Sequence, residues 1–160
     1  MEKEKHILVN SIHRYFGIEF HNTAHKYFDK KNKTKEDIDE MIGYAHSSHL
    51  HWKLYSGGTI VNVQRGEYTI AKAYALGGYK NEALAHAQNC IDLTEKHSGE
   101  MKDFDFAFAY EVMAVAQNLN GNRSEFLKYR ELAEKSGNEI IDKEDREYYF
   151  EEFNKYIKNY

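Results

Sequence analysis

Glu19, His49, Glu67, His86 and Glu111 sit on or beside apolar runs at helical spacing. Acids and imidazoles in such places either have partners or do chemistry. Placed at about 100° per residue, Glu19 falls between Ile12, Phe16 and Thr23, and His49 between Ala45 and Trp52. Glu67 falls among Val63, Ile70, Ala71 and Tyr74, and Glu111 among Phe104, Phe108 and Val115. His86 flanks the apolar stripe of its own helix. An isolated buried carboxylate takes a proton sooner than it keeps its charge.

Three chemistries suit this set. The first is a closed internal network, structural in purpose, with Asn22, Arg65 and the tyrosines as partners. The second is a metal centre in which Glu19, His49, Glu67, His86 and Glu111 hold iron, manganese or zinc. Helical bundles bind such ions with inward Glu and His. His21 and His25 are four apart and His46 and His49 three apart, spacings that suit two ligands on one ion. However, no Glu-x-x-His pair occurs, and His21 and His25 fall on the polar side of the first helix. The third is a polar pocket that adds His46 and His51, with a Glu of raised pKa beside a His as a proton-transfer pair.

Other groups read as structural. Cys90, the sole cysteine, occupies a packing position and is expected to be a small buried hydrophobe. Gly57-Gly58 and Gly77-Gly78 are helix stops, with no strand before them to make a phosphate loop. Trp52 is expected to anchor the core. Lys26, Lys30, Lys31, Lys33 and Lys35 read as a solvated loop.

Apolar spacing of three and four residues runs through the chain and predicts seven helices. The first spans about 3–31, with Leu8, Ile12, Phe16, Phe20, Thr23 and Tyr27 on its stripe. Thr34 caps the second, about 35–55, with Asp37 completing a capping box. The rest span about 59–76, 80–96, 104–119, 124–136 (closed by Gly137) and 143–160 (capped by Asp142). Tyr149, Phe153, Tyr156 and Tyr160 give the last helix an aromatic edge that covers the final repeat, or makes a dimer contact if it stays exposed.

A repeat appears at an offset of 43 residues: Ala71–Ala87 lies over Ala114–Arg130 with six of 17 positions identical. Each half reads as helix, glycine turn, helix, a unit that buries its stripe only by stacking on a neighbour. At Ala71, Tyr74, Gly78, Ala83, Ala87 and Cys90 the first unit resembles the tetratricopeptide motif. The second unit keeps Ala114 and Gly121, with Phe126 and Ala133 in its later helix. Glu67 stands at the motif's tryptophan position and the terminal proline is missing, so the resemblance covers about half the chain. The strings Ile18–Ala24, Ala45–Trp52, Asn62–Tyr68, His86–Cys90 and Asp103–Glu111 also resemble bacterial repeat proteins with no established activity.

Composition bounds the partners. With 22 basic and 26 acidic residues the net charge is −4, which argues against nucleic acid as the main partner. No apolar run approaches a membrane span, and the N-terminus lacks a signal core, so a cytoplasmic location is expected. The resulting expectation is an all-α single domain of antiparallel hairpins stacked as a right-handed superhelix with a concave side. It comprises an atypical hairpin (1–58), repeat units (59–99 and 103–137) and a capping helix (142–160). The expected function is a noncatalytic binding or scaffold module for a peptide or protein segment, the alternative being an enzyme that uses the interior Glu/His set. No cofactor is expected beyond the divalent metal of the second chemistry.

Overall fold

A computed structural model describes residues 2–157, with side chains from residue 7 onward. The chain forms α1 (Glu2–Asp29), α2 (Lys35–Leu54), α3 (Ile60–Gly77), α4 (Lys80–Lys96), α5 (Asp103–Leu119), α6 (Arg123–Asn138) and α7 (Lys143–Tyr156), with no strand among the described residues. No helix of this range is long and apolar enough to cross a membrane. Tyr160 of the predicted aromatic edge lies outside the described residues.

Local chemistry sets the boundaries. Asp37 N–H donates to Thr34 Oγ1 at 3.2 Å and Thr34 N–H to Asp37 Oδ2 at 2.8 Å, so the capping box starts α2 as expected. Asp142 accepts from the amides of Glu144 and Asp145 and starts α7. Gly78 and Gly121 take φ of 81° and 78°, left-handed turns that a side chain resists. They are 43 residues apart, so both hairpins turn at the same place in the repeat. Gly137, by contrast, does not close α6: the helix runs through it to Asn138. A Cβ there would stand 2.2 Å from the Tyr149 ring, so this glycine makes room for α7. Lys26, Lys30, Lys31 and Lys35 are exposed, as expected, and Lys33, half-buried in the turn after α1, donates its ammonium to the Phe28 and Lys30 carbonyls.

Each helix packs on the next, and contacts such as His13–His51 and Tyr27–Glu40 make neighbours antiparallel. α3 also packs on α1 and on α5, and α5 on α7, whereas α2, α4 and α6 do not pack on one another among the described residues. The stack therefore closes toward the odd-numbered helices. Three apolar clusters fill it, the first two sharing Phe108 and Tyr110, the first and third sharing Tyr74. Cys90 is buried at a packing position.

Two expectations about α1 are corrected. The buried line of α1 runs through Gly17, Ala24 and Phe28, while Leu8, Ile12 and Glu19 face water. The helix rotates this way because Gly17 admits the Trp52 ring, 3.1 Å from where a Cβ would stand. The same rotation turns His21 and His25 inward, away from the polar side. The aromatic edge of α7 does not remain open: Tyr149 and Phe153 are buried against α5 and α6.

Candidate functional site

The predicted set divides among separate places. Glu67 of α3 is the hub of the first. His86 of α4 donates from Nδ1 to Glu67 Oε2 at 2.6 Å, and Asn89 donates to the same oxygen at 3.2 Å. His49 Nε2 of α2 stands 3.4 Å from the other oxygen. Gly66 permits this approach, since a Cβ there would lie 2.0 Å from His49 Nδ1. His46 shares a 3.0 Å hydrogen bond with the Tyr74 hydroxyl, and the Tyr74 ring stacks on His86. Burial works against the ionised form of Glu67, but the His86 and Asn89 bonds outweigh it and hold its pKa below the usual value. His49 is lowered, by burial first, against the pull of Glu67.

Within this grouping the Glu67 carboxylate is taken up by His86 and Asn89, whereas the buried His49 Nδ1 has no hydrogen-bond partner. The His86 nitrogen nearest the carboxylate carries a proton, so it offers no lone pair. No group of three or more His, Cys, Asp or Glu among the described residues is arranged to hold a metal ion. Glu67→Gln removes a charged acceptor and is expected to cost about 1.5–3 kcal/mol in urea unfolding. A neutral result would mean that the His86 and Asn89 bonds contribute nothing.

The other candidates lie elsewhere. Glu19 and Asn22 are on the surface. His51 pairs with His13 at 3.0 Å between α1 and α2. Arg65 grips Asp105 of α5 with two bonds, 2.8 and 3.1 Å, and lies over Phe104. Glu111 is sealed in the core beside Lys72, 3.4 Å away, itself 1% exposed. Lys72 also donates to the Tyr68 hydroxyl at 2.8 Å and Glu152 of α7 at 3.0 Å, and stands 4.0 Å from the Tyr156 ring centre. Burial raises the Glu111 pKa, with Lys72 opposing.

Sequence reasoning missed Lys72 and Glu152. One signal was present: Lys72 is the only charge between Glu67 and Lys80, and Glu111 the only one between Asp105 and Arg123. Such lone charges in uncharged helical runs are matched by each other.

A cleft opens between α1, α3 and α5, with Tyr148 of α7 at its rim. Tyr68, Phe104, Phe108 and Tyr148 form its aromatic walls. His21, His25, Gln64, Arg65 and Asp105 supply its polar atoms around a cavity of about 150 Å³. Burial lowers the pKa of His21, and lowers that of His25 to about 3, so both rings are uncharged at neutral pH. No local pattern in the chain marks this place, because its walls come from four helices. No known family model, curated protein or solved structure matches the chain.

Proposed function

We propose that the chain is a noncatalytic, tetratricopeptide-like binding module that takes a segment of another protein in the cleft between α1, α3 and α5. One observation carries this reading. The Glu67 and Glu111 carboxylates are each engaged by neighbours of their own, His86 and Lys72, whereas the cleft between α1, α3 and α5 offers apolar, aromatic walls to a guest. Stacked hairpins related by 43 residues supply the rigid frame such modules use. The 2.6 Å contact between His86 and Glu67 is what favours an acid–base enzyme, but Asn89 and His49 already crowd that carboxylate.

Panning a displayed random-peptide library against the full chain tests the proposal. Recovered peptides should bind the wild type and lose about tenfold affinity, roughly 1.4 kcal/mol, to Tyr148→Ala at the cleft rim. They should be indifferent to Leu127→Ala, an exposed α6 position outside the cleft lining. Failure to recover any peptide, or equal binding to both variants, would overturn the reading.

A further inference from the structure

The cleft is specific about what it can hold. Gln64 is 1% exposed, and its amide orientation is fixed because Nε2 donates to Thr94 Oγ1 at 2.8 Å. That nitrogen also lies 3.4 Å from Cys90 Sγ and 3.5 Å from the Asp105 carbonyl. Gln64 Oε1 is therefore left as a buried acceptor with no donor. His25 Nε2 is a second buried polar atom without a partner. Both side chains line the cleft.

Charge and size narrow the guest further. Asp105 neutralises Arg65, and His21 and His25 carry no charge at neutral pH, so neither an anion nor a cation finds an unpaired counter-charge here. A carboxylate or phosphate would have Asp105 beside it, and an ammonium would face Arg65. The walls are aromatic faces and edges, which suit a flat ring. A cavity of about 150 Å³ is the size that admits one benzene ring.

We infer that the cleft is a receptor for a single phenol ring, whose hydroxyl donates to Gln64 Oε1 and accepts from His25 Nε2–H. Resting on the binding-module reading, the ring comes from a tyrosine side chain of the partner segment. Phenylalanine would fill the same space but leave the Gln64 oxygen buried and unpaired, the situation in which polar sites discriminate most strongly.

The test uses the side-chain analogue p-cresol against toluene and 4-methylanisole, which match its shape but cannot donate. Each is titrated into the ¹⁵N-labelled full chain, following the Gln64 side-chain amide and the backbone amides of Arg65, Tyr68 and Phe108. p-Cresol should give saturable shifts at these positions in the millimolar range, with both analogues about tenfold weaker and Tyr148→Ala weakening p-cresol. Equal binding of the three compounds, shifts scattered elsewhere, or no saturation would overturn the phenol site. Peptides from the library supply the second arm: replacing their tyrosine by phenylalanine should cost about tenfold. Peptides that bind at the cleft whatever their tyrosine content would sink this inference and leave the module reading standing. Saturable p-cresol binding with no peptide recovered would do the reverse: the phenol site would survive, and the partner segment as its source would fall.

Discussion

Acidification from pH 7 to pH 4 is expected to remove about 3 kcal/mol of stability, with His25 as the main cause. Burial first, then the neighbouring His21 and Lys72, lowers the His25 pKa from 6.5 to about 3 in the folded protein. Between those values the unfolded chain binds a proton that the folded chain refuses. Stability therefore rises with pH across this window and is complete above pH 6.5. Each refused proton contributes a slope of about 1.4 kcal/mol per pH unit. His21, His46 and His49 are also lowered by burial and act in the same direction. Glu111 acts in the opposite one: its folded pKa is raised, so protonation as the pH falls relieves part of its burial cost. Urea unfolding of wild type and His25→Phe at both pH values separates these contributions. The Phe ring can keep the contact with Phe28, 4.7 Å between ring centres, and the variant should lose most of the acid sensitivity. An acid loss of equal size in His25→Phe would place its origin outside the cleft.

The fold was legible because its signals are local. Thr34, Gly78, Gly121 and Asp142 mark helix ends through their own backbone or nearest turn, and no distant contact is needed to read them. The hairpin repeat was legible for the same reason. What failed was the orientation of α1. Its apolar residues form two bands, and size rather than hydrophobicity chose between them: Gly17 and Ala24 allow α2 to come close, leaving Leu8 and Ile12 outside. Glu19 was misplaced with that band, and His21 and His25 were misplaced against it. The Glu67 grouping was half legible, since a wheel shows that His49, Glu67 and His86 lie near apolar faces but not which faces meet. Lys72 escaped because lysine usually keeps its charged end in water, and its partner Glu152 lies 80 residues away.

That buried lysine gives the second large effect. Lys72→Met is expected to cost about 3–5 kcal/mol, because it leaves the buried Glu111 without a cation, while Glu152 keeps only Lys155 at 3.6 Å. Glu111→Leu alone should also destabilise the protein, to a smaller degree, since Glu152 still neutralises Lys72. The double variant should recover much of the loss, because two apolar side chains replace an expensive pair of charges. A double-mutant cycle in urea therefore predicts a coupling energy of at least about 1 kcal/mol. Independent, additive losses would mean that the 3.4 Å approach carries no energy. The same lysine holds α7 in place: Glu152 and Tyr156 both reach it from that helix, and the neighbouring Lys155 pairs with Asp29 of α1. Loss of Lys72 should thus speed amide exchange along α7 more than along α6, which rests on α5 through its own apolar contacts. Because Tyr148 rides on α7 and forms the cleft rim, the loosened helix should also weaken binding there. Uniform acceleration across both helices would show that Lys72 supports the whole stack and has no particular hold on the helix that shapes the cleft.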